Sequence, residues 1–254
     1  MKLYSILTFL LTLAFTTATA QKAAPDQIKT NKGMLTIQPV VHGTLVLQWN
    51  GKTIYVDPYG GAAAFESIAA PDLILITDIH GDHLDLKTLD TLHTAGAVIV
   101  APQAVFDKLP QALQQKAVVL GNGAETEQLG INIAAIPMYN LPEDATSRHI
   151  KGRGNGYLLA IGNKRIYISG DTEDIPEMRH LKNIDVAFVS MNLPYTMDID
   201  QAASAVLEFR PRIVYPYHYR GQNELSDVAA FKQKVDAGNK HIEVRLRNWY
   251  PENK

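Results

Sequence analysis

The chain has 254 residues, 46% hydrophobic and 20% charged, which is enough apolar material for a core and too much for a disordered polymer. It has no cysteine, which excludes disulfides, thiolate catalysis and cysteine-ligated metals, so any metal must be held by His, Asp and Glu. Lys and Arg number 24 against 26 Asp and Glu, a net charge of −2 that leaves no basic footprint for nucleic acid.

Residues 1–20 (MKLYSILTFLLTLAFTTATA) carry one charge, Lys2, then an apolar run over 6–15 and the small triplet Ala18-Thr19-Ala20. This is the layout of a cleaved secretory signal peptide. The apolar run is shorter than the roughly 20 residues that span a bilayer. The expectation is therefore a periplasmic or secreted protein, with no transmembrane anchor after cleavage and a mature start at Gln21. Residues 21–32 are polar and read as a loose lead-in, followed by one domain over 33–254.

Strands are predicted over 34–40, 44–49 and 53–57, the last two joined by the hairpin signal Asn50-Gly51. The continuous apolar run LILIT at 73–77 fits a strand buried on both faces. A helix at 86–93, a strand at 97–100, a short helix at 103–109 and a strand at 117–120 follow. The second half opens with strands at 131–136, 156–161 and 165–169, the latter two a hairpin around Gly162-Asn163. A strand at 186–190, a helix at 198–209, a strand at 212–215, a helix at 226–235 and a strand at 242–245 complete it. Each half is strand-dominated first and alternating later. That pattern predicts an α/β fold of two β layers, each covered by helices on its outer face.

The chemistry concentrates in Asp78-Ile79-His80-Gly81-Asp82-His83, directly after the apolar strand at 73–77. Gly81 permits a tight turn, so that Asp78 and His80 can meet Asp82 and His83 around a common centre. Imidazole and carboxylate together suit zinc, manganese or iron. The plain alternative is a polar helix start capped by Asp82 or Asp85, but the density of donors favours a metal. Asp57, Asp171 and His218 have the same placement, each just beyond an apolar strand. Strand ends are where loops present functional side chains.

Taken in order, Val56-Asp57-Pro58, the 78–83 segment, His149-Ile150-Lys151-Gly152, Gly170-Asp171-Thr172, Asn192-Leu193-Pro194-Tyr195 and Pro216-Tyr217-His218-Tyr219 resemble the metallo-β-lactamase-fold hydrolases. The nearest likeness is to the branch containing the ascorbate-phosphate lactonase and the N-acyl-phosphatidylethanolamine phospholipase D. The resemblance implies an αββα four-layer sandwich with two divalent ions, zinc or else manganese or iron, at one edge. It implies that Asp78 and His80 bind one ion with a third-motif histidine, and that Asp82 and His83 bind the other with His218. Asp171 would bridge the two, and Asp57 would buttress the ligand loop from behind.

Two departures stand out. The usual motif begins with histidine where this chain has Asp78, a harder ligand that favours manganese or iron. Where many relatives place the third-motif histidine, this chain has Asn140, a poor ligand; His149 is the better candidate, and with neither the site would hold one ion. His42 would lie near the pocket, and Tyr195, Lys151 and Arg153 are substrate-side candidates or else solvated loop residues. His93, His180 and His241 read as surface or packing residues.

The resulting expectation is a metal-dependent hydrolase acting through a metal-activated water on an ester, lactone or phosphodiester. Asp82 would orient that water or pass its proton on, and the substrate would be a small, anionic molecule. A metal-binding sensor that has lost turnover is the alternative. A nuclease is disfavoured by the charge balance, and no feature singles out a β-lactamase.

Overall fold

The computed structural model describes residues 24–251; the expected signal peptide lies outside them. Among the described residues, no helix is long and apolar enough to cross a membrane. Strands β1 (Asp26–Thr30), β2 (Gly33–Val41), β3 (Thr44–Trp49), β4 (Lys52–Val56), β5 (Leu73–Leu75), β6 (Val98–Ala101) and β7 (Ala117–Val119) form one sheet in chain order. Strands β8 (Glu125–Gln128), β9 (Ile131–Met138), β10 (Gly154–Ile161), β11 (Lys164–Ile168), β12 (Val186–Ser190), β13 (Ile213–Tyr217) and β14 (Glu243–Val244) form the second, again in chain order. In each sheet the first four strands are antiparallel and the rest parallel.

Helices α1 (Leu86–Thr91), α2 (Gln103–Phe106) and α3 (Gln111–Gln114) belong to the first half, and α4 (Pro176–Arg179), α5 (Ile199–Phe209) and α6 (Val228–Gly238) to the second. The period of two along the strands sorts the first sheet's side chains to its two faces. Leu45, Leu47, Ile54, Val56, Leu73, Leu75 and Val100 face the second sheet in one continuous core. Their neighbours Val46, Tyr55, Ile74, Ile99 and Ala101 pack on the other side with Leu89, Val105 and Leu109 of the helical layer. The two β layers with helices outside them are those expected from the alternation of elements.

Residues 26–30, expected as part of a loose lead-in, instead form β1, paired with β2 from Asp26↔Ile37 to Thr30↔Gly33. Ile28 and Thr30 point inward, and Trp49 Nε1 donates to Thr30 Oγ1 at 3.1 Å. Three groups from the second half converge on Asp26 Oδ2: Tyr215 Oη at 2.7 Å, Arg247 Nη2 at 2.7 Å and Arg245 Nη1 at 3.1 Å. Strand β8 was also not expected. Its sequence, ETEQ, is polar because it is the edge of the second sheet, where charged side chains discourage further pairing.

The parallel strands decide where function sits. Asp57 follows β4, the 78–83 loop follows β5, Asp171 follows β11 and His218 follows β13. These are carboxyl ends of parallel strands, so these residues gather at one edge of the sandwich, where His149 joins them from the β9–β10 connection.

Candidate metal centre

Three clusters of donor atoms lie at that edge: Asp78, His80 and His149; His83, Asp171 and His218; and His42, Asp82 and His218. Asp171 stands between the first two. Its Oδ2 is 3.2 Å from His149 Nε2 and 3.3 Å from His83 Nε2, while its Oδ1 is 3.4 Å from His218 Nε2. His218 Nε2 is in turn 3.2 Å from His83 Nε2 and 3.4 Å from Asp82 Oδ2. In the first cluster Asp78 Oδ2 contacts His80 Nδ1 and is 3.9 Å from His149 Nε2. Asp78, His83, His149, Asp171 and His218 are buried, while His80 and Asp82 keep 23% and 30% of their side chains exposed and so form the open side.

The backbone explains this convergence. His42, Asp57 and His218 have φ of 54°, 45° and 47°, a left-handed region costly for residues with a Cβ. Such strain persists where the surroundings over-determine it, and it clusters at functional sites. Gly43 is needed for contact: a Cβ there would lie 2.8 Å from His218 Cδ2. The tight approach brings the His42 and His218 rings together at a tilt of 48°, with centroids 3.9 Å apart.

Each buried imidazole whose outer nitrogen has a partner is aimed by it. His83 Nδ1 donates to Asp57 Oδ2 at 2.8 Å, which leaves Nε2 for the centre. Asp57 is itself held by Thr77, whose backbone N donates to Oδ1 at 2.7 Å and whose Oγ1 donates to Oδ2 at 2.5 Å. His149 Nδ1 donates to the Tyr195 carbonyl at 3.2 Å, again leaving Nε2 inward.

Asn140 is part of this scaffold. Its Oδ1 accepts from His149 N at 2.8 Å, and its Nδ2 donates to the Tyr195 carbonyl at 2.8 Å and to Glu173 Oε1 at 3.1 Å. The structure thus puts His149 in the donor cluster, with Asn140 behind it clamping its backbone.

Charge follows from the same crowding. Burial would raise the Asp171 carboxyl, but His218, His83 and His149 outweigh it and hold the group well below the usual range. Burial would likewise lower His83, yet Asp171 and Asp57 raise it well above the ordinary imidazole value. Asp82 is depressed because hydrogen bonds from His218 and His42 overcome its burial. Asp57 goes the other way: burial prevails over His83 and Thr77 and raises its carboxyl.

The donor set also passes a chemical test for a cation. Asp78 Oδ2, His80 Nδ1, His149 Nε2 and Asp171 Oδ1, which face the centre, are buried without a hydrogen-bond partner. Leaving such atoms unpaired costs about 1–3 kcal/mol each. Divalent ions among these His and Asp donors would satisfy them.

The remaining expected residues divide. His42 reaches the site, with Nε2 3.0 Å from Asp82 Oδ2 and Nδ1 2.7 Å from Tyr250 Oη. Tyr195 contributes its carbonyl to His149, while its ring carries the Arg148 guanidinium at 4.4 Å. Lys151 lies over the Tyr139 ring and pairs with Glu143 and Glu177, whereas Arg153 turns to Asp78. His93, His180 and His241 are exposed and outside the donor clusters. Sequence reading missed Tyr250, Thr77 and Gly43. Tyr250 carries no local signal, since it meets a partner 208 positions away.

Fold and donor set together define a metal-dependent hydrolase of the metallo-β-lactamase fold. The chain belongs to the beta-lactamase superfamily domain family, whose model matches residues 36–218, and within it to the UPF0173 metal-dependent hydrolases. A UPF0173 metal-dependent hydrolase of Thermococcus onnurineus is 32% identical over 194 residues, covering 72% of this chain and 85% of its own. One from Pyrococcus abyssi is 28% identical over 212 residues, 80% of this chain and 92% of that one. A crystal structure from Parabacteroides distasonis, designated a metal-dependent hydrolase, is 38% identical with a TM-score of 0.78, covering 89% of this chain and 98% of that one. The metallo hydrolase Igni18 of Ignicoccus hospitalis, 24% identical with a TM-score of 0.70 over 84% of this chain and 94% of that one, shares the fold.

Proposed function

We propose that this chain is an exported hydrolase that cleaves a small anionic ester, lactone or phosphodiester at a two-ion centre. The observation that carries the reading is the convergence of two donor groups on Asp171, with buried donor atoms that lack hydrogen-bond partners. His80 and His149 with Asp78 would hold one ion, His83 and His218 with Asp82 the other, and Asp171 would reach both. Bound divalent ions supply Lewis acidity and bring the ionisation of water toward neutral pH. The identity of the ions is part of the proposal: Asp78 argues for a share of manganese or iron beside zinc.

The chain's own groups do the rest. Asp82 Oδ2, on the open side and anchored by His42 Nε2 at 3.0 Å, is placed to take a proton from water and return it to the leaving oxygen. Tyr250 Oη, 2.7 Å from His42 Nδ1, fixes the imidazole that meets that carboxylate. Asp78, Asp82 and Asp171 bring three negative charges against four from two divalent ions, so the loaded site stays positive and attracts anions. Likeness of the motifs to the lactonase and phospholipase D branch supports lactones and phosphodiesters as substrates. The export layout of residues 1–20 supports a periplasmic or secreted location.

The test is metal analysis of the purified protein, then a screen of esters, lactones and phosphodiesters with Asp82→Ala as control. The expected result is bound transition metal and turnover that the variant lacks. Metal without turnover on any class would turn the reading toward a sensor, and failure to bind zinc or manganese would overturn it. Amino-terminal sequencing of the exported protein should begin at Gln21.

A further inference from the structure

We infer that Arg153 is the built-in counter-charge of Asp78: it engages one carboxylate oxygen, leaves the other alone to face the donor cluster, and so lets an aspartate serve where a neutral donor would suffice. Asp78 is fully buried, and its two oxygens have different surroundings. Oδ2 is turned to His80 Nδ1 and to His149 Nε2. Oδ1 is turned to Arg153 Nε, an ion pair at 3.5 Å, and both of these atoms are buried with no hydrogen-bond partner.

The fold builds this pairing deliberately. Asn155 N donates to the Thr77 carbonyl at 2.9 Å, which ties the start of β10 to the residue before Asp78. Gly154 makes the approach possible, since a Cβ there would be 2.9 Å from the Thr77 carbonyl oxygen. Arg153 is thereby held beside Asp78. A turn, Arg153 N donating to the Ile150 carbonyl at 3.1 Å with Gly152 at φ +85°, delivers it. The far end of the guanidinium is also fixed, because Nη2 donates to the Arg148 carbonyl. A side chain held at both ends is poorly suited to sweep for substrate and well suited to offset a fixed charge.

The consequence is electrostatic. A fixed cation beside Asp78, its side chain 19% exposed, weakens the attraction of that carboxylate for a second cation and discourages its binding through both oxygens. Without Arg153 the cluster becomes a harder, more negative site.

The inference rests on the metal-centre reading, and chelator-competition titration of stripped protein with zinc and manganese separates the two. Arg153→Gln should tighten metal binding about tenfold, with the larger gain for manganese, the scale on which groups next to ligands change affinity. Asp78→His should weaken binding by about tenfold or more, because it leaves the Arg153 charge unpaired beside a neutral ligand. The double variant should return to within about threefold of wild type. Circular dichroism melts confirm that each variant is folded; an unfolded Arg153→Gln is replaced by Arg153→Met. Affinity unchanged or weakened in the Arg153 variants would overturn the inference, as would a double variant no better than Asp78→His. A change in KM alone would make Arg153 a substrate group instead. Wild-type protein that binds no metal would overturn the metal centre itself.

Discussion

From the first sheet, one loop carries four donor side chains, Asp78, His80, Asp82 and His83, within six residues. From the second, His149, Asp171 and His218 arrive singly, from three separate connections. The loop is secured by its own turn, with His83 N and Leu84 N both donating to the His80 carbonyl, and by Asp57 and Thr77 behind it. The single donors have no such shared turn. His149 depends on Asn140 and the Tyr195 carbonyl, and His218 on its left-handed backbone against Gly43. A cluster on one loop moves as a unit, whereas dispersed ligands must each be positioned by tertiary packing. The first half therefore should tolerate local damage as a block, and the second should fail ligand by ligand.

The sharpest way to break that contrast is Asp171, the one donor from the second half that reaches both groups. Asp171→Ala should abolish binding at both positions and lower turnover by about 10³-fold or more, as loss of a central catalytic group does. Metal content by mass spectrometry, read beside kcat, checks it. Retention of one full equivalent would show that the first-half loop holds an ion by itself. Next in size is Asp57→Asn, which keeps the shape but withdraws the charge from His83 Nδ1. Loss of such an outer partner costs about 10–100-fold in metal affinity. Asn140→Ala should be milder, about tenfold, and confined to the position that uses His149, because the amide reaches the donor cluster through that residue's backbone and through the Tyr195 carbonyl that its Nδ1 donates to. Resolved two-step titrations would show whether one step moves or both.

The same contrast explains what could be read from sequence. The 78–83 donors were legible because they are contiguous and follow a buried strand, so chemistry and position coincide within one window. Asp57, Asp171 and His218 were legible only as a recurrence, a polar residue after each apolar strand. Their meaning depended on parallel strands ending at one edge. The roles of Asn140 and Arg153 were not legible. Each acts through backbone carbonyls or a partner brought near by the β10 entry, and no spacing rule encodes that contact. Strand β1 was missed for a similar reason. Four of its five residues are polar, and it is a strand because β2 and the second-half residues around Asp26 receive it.

That seam gives the smallest expected effect, on stability. Asp26 belongs to the first sheet, yet Tyr215, Arg245 and Arg247 of the second half bind it, with its side chain 14% exposed. Burial alone would raise its carboxyl, but Tyr215, the Gln27 backbone, Arg245 and Arg247 together lower it from 3.8. A carboxyl depressed in the folded state stabilises that state above its unfolded value and loses the contribution as pH falls through the folded value. Asp26→Asn should therefore cost about 1 kcal/mol near neutral pH, modest because the cluster is partly solvated. That is about 2–4 °C in Tm for a domain of this size. The gap between variant and wild type should hold at pH 6 and shrink once the pH drops below the unfolded carboxyl value of 3.8. A gap that is constant into acid would mean that the Asp26 contacts stabilise the seam by shape alone, and that the two halves are joined by packing without help from charge.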